Sequence, residues 1–322
     1  MKRRTKVFLI TSAAVVFLGI ILCLAGAAVG SAAGEQIFPE NTEQGRCYTY
    51  YFGDSDIGRV NFNAVKAQIN IIGKAERSYI EVINFNENLS TFTSSNAMVT
   101  FRESPDVSSA LRFWESGFTF KGLRYLIRSG GDANGGIINV YLAEDVKVKA
   151  FDLTVESGKV TVTNLDTPTD YNISVGSGSV TVSGVSTTSA VSVSTAGTSS
   201  STVSMENVSA QTVSVKSQTA VLTAENIKAK NCDVVIRTGS AALEYSPLED
   251  GEFSVEVNSV GKLVIDGCAD YIDTYKYTPE KENEGDGETA YVRITGADLS
   301  VDLNTPLPDA QQEEDGDEKG DK

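Results

Sequence analysis

Any chemistry in this chain falls to carboxylates, thiols, phenols and hydroxyls, because its 322 residues include no histidine. Without imidazole there is no Ser–His or Cys–His pair and no common zinc ligand. The usual general base at neutral pH is also missing. The acids are grouped in runs. Residues 280–288 (EKENEGDGE) hold five acids and one lysine, and residues 309–322 (DAQQEEDGDEKGDK) hold seven acids and two lysines. Neither run has the alternating ligand-and-glycine spacing of a calcium loop, so both read as solvated, disordered segments. No cofactor, no metal site and no catalytic residue is assigned.

The thiols and phenols point to packing and contact. Cys23 lies in an apolar leader, and Cys47, Cys232 and Cys268 follow it. Cys232 takes a repeat position occupied elsewhere by Phe151, Tyr171 and Phe253, and Cys268 ends an inward column. Both read as small core residues, with a Cys232–Cys268 disulfide as the alternative. Tyr271, Tyr275 and Tyr277 fall in an insert at 269–290. Aromatic side chains give rigid contact area, so these three are the candidate partner-contact residues. Ser157-Gly158, Ser177-Gly178, Thr238-Gly239 and Thr295-Gly296 lack the following helix of a phosphate-cradling loop and read as corners between strands.

Repeated strands must position these groups. FDLTVESGKVTVTNL (151–165) recurs as YNISVGSGSVTVSGV (171–185). One apolar column runs Leu153, Ile173, Val191, Val213, Val234, Val255, and a second, two residues on, runs Val155, Val175, Val193, Val215, Ile236, Val257. After the corner come Val160, Val180, Val203, Leu222, Leu243, Leu263, then Val162, Val182, Met205, Ala224, Tyr245, Ile265. Three residues further lie Leu165, Val185, Val208, Ile227, Leu248 and Cys268. Period-two alternation marks strands with one buried face. A repeat of about 20 residues is too small to bury that face alone, and stacking the repeats buries it. The expected fold is all-β: a parallel β-solenoid of about seven two-stranded rungs over 149–304, the last at 292–304. A two-layer antiparallel sandwich is the competing arrangement. Residues 60–148, with strands at 60–85, 98–101, 123–127 and 137–142, read as an N-terminal β cap. The 269–290 insert reads as a lateral excursion.

Ahead of the cap, Lys2, Arg3, Arg4 and Lys6 precede an apolar run at 7–29. Its length suits a membrane-spanning helix, with the basic end (1–6) in the cytoplasm and the remainder outside after a linker at 30–59. Cleavage after the small residues near Ala25-Gly26-Ala27 or Ser31-Ala32-Ala33 is the rival reading. The formal charge of −16 includes the basic leader, which leaves −20 for the rest, ending in the acidic tail 305–322. That surplus disfavours nucleic acid and bare anionic lipid as partners.

The run VYLAEDVKVKAFDLTVESGKVTV (140–162), followed by strand repeats punctuated by Ser-Gly, resembles a bacterial family of unknown function labelled "putative adhesin". The resemblance covers roughly residues 120–303 together with the anchor layout. It implies a single-pass membrane protein with an extracellular repetitive β domain and a role in the cell envelope, in the manner of envelope-stress operons. That family has no established catalytic residues, so none is carried over. This chain departs from the pattern in the swollen turn at 197–202 and in the insert at 269–290. The expected function is a non-catalytic surface protein, an adhesin or a binding or scaffold module. Its expected partner is a wall glycan or another envelope protein. The alternative is a carbohydrate-active β-helix enzyme, which needs acids converging on one face. A flat Thr array of the ice-binding kind (Thr161, Thr181, Ser204, Thr223) is interrupted at Glu244 and Val264.

Overall fold

The structure is a computed structural model that describes residues 47–51, 57–83, 85, 90–95, 98–103, 136–167, 169–197, 200–248, 253–258, 262–265, 268–270, 274–277 and 290–305. All of them belong to one compact unit made of Cys47–Phe85, Ser90–Glu103 and Asn134–Lys322. The expected membrane anchor at 7–29, the strand at 123–127, the acidic runs and Tyr271 lie outside the described residues. Among the described residues no helix is long and apolar enough to cross a membrane.

Every regular element described is a strand. In chain order they are β1 (Cys47–Tyr51), β2 (Arg59–Ala75), β3 (Tyr79–Ile83), β4 (Ser90–Ser95), β5 (Met98–Glu103), β6 (Gly136–Ala143), β7 (Ala150–Asp166) and β8 (Asp170–Ser186). There follow β9 (Ala190–Thr195), β10 (Ser201–Pro247), β11 (Phe253–Asn258), β12 (Leu263–Ile265), β13 (Cys268–Asp270), β14 (Thr274–Tyr277), β15 (Ala290–Thr295) and β16 (Asp298–Asn304). The class is all-β.

The repeat is a parallel ladder. β7 and β8 pair in register, Phe151 with Tyr171, Leu153 with Ile173, Val160 with Val180 and Val162 with Val182. β8 then pairs with β10, Val180 with Val203 and Val182 with Met205. Leu153, Val155, Val160, Val162 and their partners are buried, and the residues between them are half-buried or exposed. Each such Val or Leu removed from water contributes about 1.5–3 kcal/mol, so the stack is held mainly by its inward columns.

Four features differ from the sequence expectation. First, the strands are not split at the Ser-Gly pairs: β7 runs unbroken through Gly158, whose φ is +152°. Gly178 and Gly239 take the same kind of conformation, at +136° and +139°. Second, the columns slip by two at the third repeat, where Val191 pairs with Tyr171 and Val193 with Ile173. A slip of two preserves the inward face, so all the residues involved stay buried. Third, β2 is a repeat in its own right rather than a cap. It pairs in parallel with β7, Val60 with Phe151, Phe62 with Leu153 and Ile69 with Val160. β5 and β6 pair in parallel with its other edge. Fourth, the last repeat does not extend the stack beyond the sixth but is inserted between the fifth and the sixth. β15 lies between β10 and β11, Val292 pairing with both Cys232 and Val255, and β16 lies between β10 and β12.

A second corner explains the interval of three in the second strand. Asn164, Gly184, Asn207 and Asn226 all have φ between +51° and +62°. Asn164 and Asn207 flank Gly184 in the ladder. A left-handed residue there turns the chain, so Val162 and Leu165 both point inward although they are three apart. The Asn226 Nδ2 donates to Asn207 Oδ1 at 2.6 Å, forming a short amide ladder along the corner.

Antiparallel strands close both ends. β3 pairs with β6, β1 with β3 and β4 with β5 at one end. At the other, β14 pairs with β11 and β13 with β12, so the described parts of the insert are edge strands rather than a lateral excursion. Aromatics cover the core there: Tyr50 stacks on Phe92 at 3.8 Å, and Tyr275 and Tyr277 pack against the opposite end.

Glu103, at the end of β5, is the one buried carboxylate among the described residues. Its Oε2 accepts from the Val65 backbone N–H at 2.8 Å. Burial raises its pKa, against the opposing pull of the Val65 and Lys66 amides. A carboxyl raised on folding favours the fold most below its unfolded pKa, and that contribution is lost as pH rises through the folded value. Glu103→Gln, which cannot ionise, is therefore expected to gain stability relative to the parent as pH rises from the acid range to neutrality. Parallel thermal melts across that range check it; a constant difference between the two proteins rejects the assignment.

Candidate binding surface

The outward columns carry the polar side chains. One runs Glu81, Asn139, Asn70, Thr161, Thr181, Ser204 in unbroken register across β3, β6, β2, β7, β8 and β10. The threonines visible in the sequence are thus the continuation of an amide row. Towards the C-terminal end Glu244 lies opposite Asn304, whereas Ala242 and Val264 both lie opposite Asp302.

At the N-terminal end the row is hydrogen-bonded side chain to side chain. Asn139 Nδ2 donates to Glu81 Oε2 at 3.2 Å, Asn70 Nδ2 donates to Asn139 Oδ1 at 2.7 Å, and Gln68 Nε2 donates to Asn70 Oδ1 at 3.1 Å. All four side chains are half-buried. The strands fix the order, because alternate residues of a strand share a face and paired residues sit side by side.

Next to the amides stands a column of phenols. Tyr51 pairs with Tyr79 and Tyr79 with Tyr141. The Tyr79 and Tyr141 rings stack at 4.4 Å and 19°, and the Tyr51 ring lies 6.0 Å from Tyr79 at a 40° tilt. Tyr51 sits on the edge strand and is 72% exposed. Desolvation first, and then the Glu81 charge, raises the pKa of both Tyr79 and Tyr141. Both phenols therefore remain protonated donors at neutral pH.

The residues singled out in the sequence are placed differently. Tyr275 and Tyr277 pair with Val257 and Val255, so they share the inward face of those core residues and stay half-buried. Cys232 is a free, fully buried thiol, not half of a disulfide. Burial pushes its pKa up to about 12, with the Asp233 charge adding to it. Such a thiol is an inert core residue. Among the described residues no three His, Cys, Asp or Glu side chains are placed to hold a metal ion. An open depression of about 490 Å³ near the C-terminal end is lined by Thr223, Glu225, Glu244, Asp302 and Asn304 among others.

The tyrosine column escaped the sequence reading. Alternation in IINVYL (137–142) does put Tyr141 outward beside Asn139, and YIEVI in β3 does the same for Tyr79. Their meeting with Tyr51 depends on two antiparallel pairings that no repeat announces.

No protein-family model and no curated protein matches the sequence. Solved structures do align with it along most of its length. A candidate adhesin from Bacteroides fragilis is 10% identical, with a TM-score of 0.38, over 81% of this chain and 97% of its own. A candidate cell adhesion protein from Clostridium sporogenes is 12% identical, with a TM-score of 0.32, over 81% and 99%. A candidate lipid-binding protein from Parabacteroides distasonis is 11% identical, with a TM-score of 0.34, over 81% and 97%.

Proposed function

We propose that this chain is a non-catalytic binding module of the bacterial cell envelope. In this reading the run at 7–29 anchors it, the N-terminus stays in the cytoplasm, and the stacked repeats form a β-solenoid that holds a contact surface away from the membrane. The observation that carries the reading is the Tyr51–Tyr79–Tyr141 column beside the Glu81–Asn139–Asn70–Gln68 row. Rigid aromatics bordered by oriented polar groups are the composition of recognition surfaces. They stand on paired strands, which hold side chains more firmly than loops do.

The test uses the full chain in detergent micelles, incubated with wall glycan and with ectodomains of other envelope proteins, while retention and product release are measured together. Saturable retention without turnover, reduced when Tyr51, Tyr79 and Tyr141 are all changed to Ala, is the expected result. Turnover of a glycan that a single Asp or Glu substitution abolishes would replace this reading with an enzyme.

A further inference from the structure

We infer that the ligand of the Tyr51 face is an uncharged carbohydrate chain. The inference rests on the binding-module reading and adds the chemical class of the ligand. Three observations select that class.

The first is the pattern of spare hydrogen-bonding capacity. A side-chain amide has two N–H donors and two acceptor lone pairs. Within the row, Asn139 spends one donor on Glu81 and one lone pair on Asn70, while Asn70 spends one donor on Asn139 and one lone pair on Gln68. Each of these two amides keeps a donor and an acceptor with a fixed orientation. A hydroxyl both donates and accepts, so a row of sugar hydroxyls meets this alternation. A phosphate offers acceptors only, and an ammonium donors only.

The second is the ring. Tyr51 is backed by Tyr79, which is stacked in turn on Tyr141. With β1 at the edge of the sheet, Tyr51 is the largely exposed member of that column. A ring held from behind and open in front suits the apolar face of a sugar, whose hydroxyl edges then reach the amides.

The third is charge. The ionisable carboxylate of the row is Glu81, hydrogen-bonded by Asn139, and Lys159 lies opposite Gln68 at the other end of the row. The whole chain carries −16. An anionic polymer would meet the Glu81 charge and this overall surplus, whereas a neutral one pays no such penalty.

The experiment titrates the full chain in detergent micelles with cellohexaose, xylohexaose and chitohexaose, and with polygalacturonate as the anionic probe. Calorimetry and tyrosine fluorescence serve as readouts, and envelope-protein ectodomains are tested in parallel. At least one neutral hexasaccharide is expected to bind saturably, with affinity unchanged between about 0.05 and about 0.5 M salt, because screening does not touch a neutral ligand. Tyr51→Ala should weaken that binding at least about tenfold, and Asn139→Leu at least about fivefold. Ser192→Ala, on β9 and outside both the amide row and the phenol column, should leave it unchanged. Equal thermal midpoints of Tyr51→Ala and the parent show that loss of binding is not loss of fold. Binding confined to polygalacturonate, or weakened steeply by salt, overturns the carbohydrate class, and neutral binding indifferent to Tyr51→Ala overturns the site. If no hexasaccharide binds while an envelope protein is retained and lost in Tyr51→Ala, the ligand class is wrong and the module reading stands. If nothing is retained through this face, both fall.

Discussion

Val182→Asp is expected to lower the thermal midpoint by about 10 °C or more, while Thr181→Asp, one residue away, lowers it by only about 2–4 °C. Val182 is 1% exposed and sits between Val162 and Met205 in the inward ladder. A carboxylate there would have no charged or hydrogen-bonding partner. Leaving a charge uncompensated in a core costs about 3–5 kcal/mol. Thr181 points outward between Thr161 and Ser204 and is half-buried, so an acid in its place stays hydrated at a cost of about 1 kcal/mol or less. Thermal melts of the two variants beside the parent decide it. Equal losses would mean that the inward and outward faces of β8 are misassigned.

Gly178→Ala is the second large effect, with a built-in control at Gly184. Gly178 has φ +136°, and a Cβ on it would stand 1.9 Å from the Gly158 carbonyl oxygen. That oxygen belongs to the backbone of the neighbouring repeat, so it cannot swing aside as a side chain would. The forced φ and the clash together should cost about 3 kcal/mol or more. Gly184 also has a positive φ, but at +62°, a value its ladder neighbours Asn164 and Asn207 already adopt. A Cβ there first meets the Asn164 Oδ1 at 2.9 Å, the movable end of a side chain. Gly184→Asn is therefore expected to stay within about 1 kcal/mol of the parent. Denaturant titration of both variants tests the contrast, and similar losses at the two positions would refute the account of the two corners.

Which side chains would be buried was legible at the level of single residues. Leu153, Val160, Val162 and Val182 alternate with Ser and Thr, and each is buried where the alternation places it. Cys232 read as a core residue and is one. The identity of β2 as a repeat was less visible, because Lys66-Ala67 occupies the positions of Ser157-Gly158 and a long excursion separates the two strands. Val60, Phe62, Ala64, Ile69 and Ile71 nevertheless keep the spacing of Phe151, Leu153, Val155, Val160 and Val162. The Asn corner was present as an interval of three residues, but its left-handed backbone was not read from it. The tyrosine column was not legible at all, since Tyr51, Tyr79 and Tyr141 come from three strands outside the repeat.

By itself, the sequence determined the class of structure and the inward or outward face of most residues in the repeated strands, since period-two alternation is a local property of a strand. Repeat spacing also gave the neighbours of β7 and β8, such as Val160 beside Val180, but tertiary structure decided them where the repeat slips or its order changes. A slip of two residues leaves every side chain on its own face, so alternation could not exclude the displacement that pairs Val191 with Tyr171 rather than Ile173. Nor could it order the strands: the entropy of closing a loop grows only slowly with its length, so insertion of β15 and β16 beside β10 competes with stacking on the end. With β14 and β13 already covering the outer edges of β11 and β12, the final repeat found its place between the fifth and the sixth. The same freedom of long-range pairing brought three tyrosines and an amide row onto one surface.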